Sequence, residues 1–185
     1  MRKSMIGVLI LIAIIGYGLY DSNRSSSHLK NVEPANAART ETGIQKGQRA
    51  PDFQLRNISG NAIKLSDYRG KTVLVNFWFS SCLACKLEMP YLEDIWLEYQ
   101  DNDVVILAVN LTTTENREAD LVSFSEKYEL TFPIVMDLDG SVKQTYEVTA
   151  YPTTYFIDPR GIIQEIYPGV MNDDMIKQTI KRISR

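Results

Sequence analysis

The chain has 185 residues, 44% of them apolar and 23% charged, a composition that suits one globular domain with something smaller attached. Its net charge of -3 at pH 7 comes without any basic block able to neutralise several phosphates, which excludes nucleic acid as a partner. With two cysteines and one histidine in the whole chain, metal and imidazole chemistry start short of ligands.

In chain order, Arg2 and Lys3 precede an uncharged apolar run from Met5 to Tyr20. It is long enough for a signal core and slightly short of the roughly 17 to 25 residues of a spanning helix. The only small-x-small site, Ala35-Asn36-Ala37, lies far beyond the run, so residues 1–20 are expected to stay attached as a membrane anchor or uncleaved signal. No cysteine stands near the end of the run, which excludes lipid attachment there. The leading positive charges place the N-terminus in the cytoplasm and the rest of a single-pass protein outside it. Residues 21–43 are polar and rich in Ser, Asn and Ala, and read as a flexible linker; residues 44–185 read as the folded domain.

The domain opens with a predicted hairpin, FQLRN and AIKLS, turned by Ser59-Gly60-Asn61. KTVLVNFWF at 71–79 has the continuous apolar and β-branched character of a strand buried on both faces. After it, Leu87, Tyr91, Leu92, Ile95, Trp96 and Tyr99 recur at spacings of three and four, the period of a helix. DVVILAVNL at 103–111 predicts a second buried strand, and Thr112 with Glu115 offers a capping box for a helix through Tyr128. A strand at FPIVMD, a short helix at GSVKQTYEV, a strand at TTYFID, a turn at Pro159-Arg160-Gly161, a strand at IIQEIYPG and a helix from Asp173 to Ser184 complete the chain. Strands alternating with helices predict an α/β architecture with a mixed sheet. No internal repeat is present.

Both cysteines fall in the strand-to-helix turn, as Cys82-Leu83-Ala84-Cys85. A zinc site would need two more ligands, and the one histidine, His28, lies in the linker, so no metal is expected and no imidazole can serve a cysteine nucleophile. A structural disulfide or a catalytic dithiol remains. A bridge across two intervening residues removes little entropy from the unfolded chain and is a weak staple. At a helix N-terminus, by contrast, free N–H groups and the helix dipole stabilise a thiolate. The spacing therefore favours a redox pair in which exposed Cys82 attacks a foreign disulfide and Cys85, one turn inward, resolves the mixed disulfide. Leu83 and Ala84 add no charge to the loop, which points to a reductant or balanced exchanger in place of a strong oxidant.

GQRAPDFQL, LSDYRGKTVLVNFW, CxxCKLEMP, FPIVMDLDG and AYPTTYFIDPRG occur in an order that resembles the TlpA/ResA type of membrane-tethered thiol-disulfide oxidoreductases, over residues 46 to 183. The resemblance implies a thioredoxin-like fold: a four- to five-stranded mixed sheet flanked by helices, an added N-terminal β-hairpin, and an inserted helix at 115–128. It implies a cis Tyr151-Pro152 bond whose backbone lies beside Cys82 for an extended substrate chain. It also implies that Glu88, three residues after Cys85, is a partly buried carboxyl group with a raised pKa that relays the Cys85 proton. Pro90 is expected to kink the helix, and Trp78 and Phe79 to pack in the core or at its rim.

The implied partners are disulfide-bearing proteins and a membrane thiol electron donor that draws on cytoplasmic thioredoxin, with no cofactor. The family context includes cytochrome c maturation. Ser81 and Ala84 stand where the family has an aromatic residue and often proline, so a substrate such as apocytochrome c is not carried over. Two rival readings are a peroxiredoxin-like thiol peroxidase, suggested by APDFQL, and a non-catalytic binding module with a permanent CxxC bridge.

Overall fold

The two longest apolar runs of the domain become neighbouring strands in the middle of one seven-stranded sheet, because only a strand covered on both faces buries every residue. A computed structural model describes residues 40–101, 103–114 and 118–184. The strands are β1 (Gln54–Asn57), β2 (Ala62–Lys64), β3 (Thr72–Trp78), β4 (Val104–Asn110), β5 (Ile134–Met136), β6 (Thr153–Ile157) and β7 (Ile163–Pro168). The helices are α1 (Leu83–Tyr99), α2 (Glu118–Lys127), α3 (Ser141–Thr145) and α4 (Asp173–Ile183). The sheet order is β2-β1-β5-β4-β3-β6-β7; β3, β4 and β5 run parallel, and the other pairings are antiparallel. This is a thioredoxin-like mixed sheet with the N-terminal hairpin welded to it through β1 and β5.

Side-chain alternation along β3 divides the core in two. Leu74 and Trp78 face the layer formed by α1, α2 and α4, where they join Met89, Leu92, Ile95, Leu121, Phe124, Ile176 and Ile180. Val73, Val75 and Phe77 face the opposite layer with Leu107, Val109, Tyr146 and Tyr155. Each such aliphatic side chain, fully buried, stabilises the fold by about 1.5–3 kcal/mol. By the same alternation, Asn76 points into the α1 layer.

On the second face the Tyr146 hydroxyl donates to the Pro51 carbonyl at 2.7 Å, and the Tyr155 hydroxyl donates to the Tyr146 carbonyl at 2.8 Å. Burial, then the neighbouring Tyr155, pushes the Tyr146 hydroxyl far above its ordinary pKa, so it stays a donor at every working pH. Tyr146→Phe leaves the Pro51 carbonyl without that donor and is expected to cost about 1 kcal/mol, read as a lower denaturant midpoint at unchanged slope.

Leu87 and Tyr91 lie on the outside of α1, 61% and 39% exposed; the buried stripe is Cys85, Glu88, Met89, Leu92 and Ile95. Apolar residues occur on most sides of this helix, so periodicity defines a helix without choosing the face the sheet covers. Residues 40–43 pack with the folded segment as well. The compact unit takes in Thr40, the Glu41 carbonyl accepts the Arg49 N–H at 2.9 Å, and the Gly43 N–H donates to the Arg49 carbonyl at 3.0 Å.

The inserted helix is described in part. Thr112 belongs to a short 3-10 turn, Thr112–Thr114, and its hydroxyl donates back to the Asn110 side chain at 3.2 Å. Helix α2 is described from Glu118, and Glu115 of the expected capping box lies outside the described residues. Pro90 stands inside α1 without ending it.

The expected anchor at residues 1–20, and the linker up to residue 39, lie outside the described residues. Among the described residues no helix is long and apolar enough to cross a membrane.

Candidate active site

Parallel strands β3 and β4 end level with each other, with Trp78 opposite Asn110, so the segments that follow them emerge at one edge of the sheet. Strand β6 runs antiparallel to β3 and pairs Thr153 with Phe77, which sets Pro152 at the same edge as the turn after Trp78. The sheet thus brings the CxxC turn and the Tyr151-Pro152 loop together from distant parts of the chain.

Cys82 is the N-cap of α1. Its backbone is extended (φ -73°, ψ 112°), and its Sγ accepts the N–H of Cys85 at 3.0 Å, the place usually filled by a Ser or Asp oxygen. No acidic residue stands in the first turn to oppose negative charge on that sulfur. Cys82 and Cys85 are joined in a disulfide with their Cα atoms 5.2 Å apart, within the ordinary range. Cys85 is sealed in the core, and Cys82 retains 8% of its surface. The order of exposure is as expected, but Cys82 is far more covered than a freely exposed turn residue. It belongs to the core cluster against which Phe79, Ala84 and Tyr151 pack.

The Tyr151-Pro152 peptide bond is cis. The Tyr151 ring meets Phe79 edge-on at 5.2 Å, and its hydroxyl donates to the Val148 carbonyl at 3.4 Å. The Pro152 carbonyl accepts the Gly169 N–H at 2.7 Å, which ties the loop to the end of β7. Trp78 is wholly buried and Phe79 partly so, both as packing residues. A cleft of about 520 Å³ lined by Thr113, Asp139, Lys143, Glu147 and Thr149 among others opens beyond β4 and β5, with neither cysteine in its wall.

Glu88 follows Cys85 by one turn and is completely buried. Its Oε1 accepts the Met171 N–H at 2.9 Å, and its Oε2 accepts the Asn76 side-chain N–H at 2.9 Å. Burial raises its pKa to about 7, against a smaller opposing effect of those two hydrogen bonds. The same Asn76 nitrogen donates to the Thr154 hydroxyl at 2.8 Å. The sequence singles out Glu88 as a candidate but not its partners, Asn76 and the Met171 amide, or Thr154 behind Asn76. One signal was legible: Asn76 is the only side-chain amide in an otherwise buried strand, where an uncompensated polar group is costly. Nothing local points to Met171, whose amide meets Glu88 only through packing of the segment before α4.

A thioredoxin-like sheet with a CxxC pair capping its first long helix defines the class, the thioredoxin-type thiol-disulfide oxidoreductases. The chain belongs to the AhpC/TSA family, which it matches over residues 46–166, and within it to the ResA-like thiol-disulfide oxidoreductases. It is similar to thioredoxin-like protein YneN of Bacillus subtilis, with 38% identity over 97% of this chain and 98% of that protein. It is similar to thiol-disulfide oxidoreductase ResA of Oceanobacillus iheyensis, with 37% identity over 96% of this chain and 85% of that one. Among solved structures, the thioredoxin domain of a thiol-disulfide oxidoreductase from Bacteroides vulgatus has a TM-score of 0.68 and 28% identity, covering 77% of this chain and 100% of that domain. This chain is accordingly an enzyme of thiol-disulfide exchange.

Proposed function

We propose that this protein reduces or rearranges disulfides in other proteins on the extracytoplasmic side of a membrane, with Cys82 attacking, Cys85 resolving and Glu88 carrying the proton. The observation that carries the chemistry is the Cys82 sulfur in the N-cap position of α1, accepting a backbone N–H. A thiolate there accepts the same bond more strongly, which lowers the cost of ionising it. In the reduced enzyme, the Cys82 thiolate attacks one sulfur of the substrate disulfide and releases the other as a thiolate. Glu88 then takes the Cys85 proton, and the new Cys85 thiolate attacks Cys82. The Cys82–Cys85 bond forms, the bond to substrate breaks, and two electrons have passed to the substrate, whose two sulfurs leave as thiolates; the proton held by Glu88 and one from solvent convert them to thiols.

The membrane location rests on the apolar run Met5–Tyr20 behind Arg2 and Lys3, and the loop bearing Tyr151 and Pro152 is the surface against which the substrate chain lies. A membrane-embedded thiol donor would restore the dithiol. The apolar landing surface that an aromatic at position 81 would supply falls instead to Leu83 and Leu87, 74% and 61% exposed, with Tyr91 one turn further along the same helix face. Leu87→Glu is expected to lower kcat/KM for a protein disulfide about fivefold more than for a small aromatic disulfide, a ratio read from the two assays side by side.

The deciding experiment mixes the pre-reduced full chain in detergent with a disulfide-bonded protein, and separately with peroxide. Stoichiometric appearance of substrate thiols supports the reading. Peroxide consumed rapidly with the protein disulfide untouched supports thiol peroxidase chemistry, which the AhpC/TSA match keeps in view. A CxxC bridge that resists dithiol reagents overturns both.

A further inference from the structure

Glu88 is gripped as a carboxylate: each of its oxygens faces an N–H donor. Once it takes a proton, one oxygen becomes a donor with less acceptor capacity, and its O–H needs an acceptor that neither N–H supplies. The Met171 amide belongs to the backbone and cannot reverse. Asn76 can, because its amide plane turns over within the site about a soft terminal torsion. Its Oδ1 is buried without a hydrogen-bond partner among the described residues, while its Nδ2 serves both Glu88 and Thr154. Asn76 and Thr154 are direct cross-strand partners on β3 and β6, and Thr154 follows Pro152 by two residues.

We propose that Asn76 is a positioning residue for the exchange reaction: its amide reverses when Glu88 gains a proton, offering Oδ1 to the Glu88 hydroxyl and to the Thr154 hydroxyl together. Two hydrogen bonds and one unpaired amide atom exist in each state. In the first, Nδ2 donates twice and Oδ1 is idle; in the second, Oδ1 accepts twice and Nδ2 is idle, with the Thr154 hydroxyl changing from acceptor to donor. The carboxyl group therefore finds a partner in either charge state with the same number of bonds, and the bond to the ionised form is the stronger because its acceptor is charged. The groups facing Glu88 are Asn76 from β3, Thr154 through Asn76 from β6, the Met171 amide from the segment before α4, and Cys85 on its own helix. No charged side chain contributes to its shifted titration.

This inference rests on the reading of Glu88 as proton carrier, and two measurements separate them. The carboxyl resonance of Glu88 is titrated by carbon NMR in the full chain, alongside the pH profile of disulfide reduction. Asn76→Leu, of similar size, and Asn76→Asp, of the same shape, both remove the donor that favours the carboxylate. Each is expected to move the Glu88 titration upward by about one pH unit, a tenfold gain in proton affinity, and to carry the rising limb of the pH profile with it. Asn76→Asp decides if the leucine variant does not fold. A Glu88 titration that stays at the wild-type position in a folded Asn76 variant, or Asn76 side-chain NH2 resonances in the wild-type chain that do not change as Glu88 titrates, overturns the inference. If instead Glu88→Gln keeps the wild-type pH profile, the relay itself is wrong, whatever Asn76 does.

Discussion

Cys82→Ser should reduce protein disulfide exchange to the uncatalysed background, while Cys85→Ala should stall with substrate bound covalently through Cys82. The asymmetry follows from the helix N-terminus. Only Cys82 combines residual surface with the capping position; Cys85 is wholly enclosed and reaches no partner other than Cys82. A hydroxyl at position 82 can still cap α1, so Cys82→Ser removes the nucleophile with little loss of helix stability. In Cys85→Ala, attack proceeds and resolution cannot, because no other thiol exists in the chain. The readout is a mass increase on non-reducing gels that dithiol reagents reverse. Covalent capture by Cys82→Ser with an intact Cys85, or equal capture by both variants, would reverse the assignment of roles.

The second large effect concerns stability against pH in the oxidised protein. Glu88 has its folded pKa raised from 4.5 to about 7, so the native state binds this proton more tightly than the unfolded chain does. The stability from that proton is complete below about 4.5 and is lost as pH rises through about 7, since the unfolded carboxyl ionises freely and the buried one must give up solvation to do so. The difference corresponds to about 3 kcal/mol at most. Glu88→Gln cannot ionise. It is expected to gain stability relative to wild type between pH 4 and pH 8, by up to that amount, in denaturant unfolding of the oxidised chain. A gap between the two proteins that is the same at both pH values would show that Glu88 ionises in the native state as easily as in water. Glu88 thus carries a stability cost at neutral pH, which is expected where a titratable group is kept for chemistry.

Glu88 also marks the boundary between what is legible in the chain and what is not. That a carboxyl group lies one helical turn beyond Cys85 follows from spacing alone, and so does the cysteine pair at a strand-to-helix turn, because strand and helix periods are local properties of a few residues. The hairpin at Ser59-Gly60-Asn61, the continuous β3 and β4 runs and the final β6–β7 pair were readable for the same reason. The covered side of α1 was not. Leu87 shares the apolar spacing of the helix and lies in solvent, whereas Glu93 looks exterior and is buried, and the burial of Glu88 was implied by the family resemblance and not by its spacing. Glu93 is held by the backbone amide and the hydroxyl of Thr131, and Glu88 by Asn76 and Met171. Those partners come from other elements, so no window of sequence contains them.

The chain by itself determined the order and type of its elements, the reactive pair and the likeness to ResA-type proteins, all of which depend on residues close together in sequence. Tertiary packing alone decided that Cys82 is nearly covered, that the opening hairpin extends the main sheet through β1 and β5, and that Asn76 links Glu88 to Thr154. A hydrogen bond in a dry interior requires its two groups to be brought within 3 Å by separate segments, and only the fold supplies that approach.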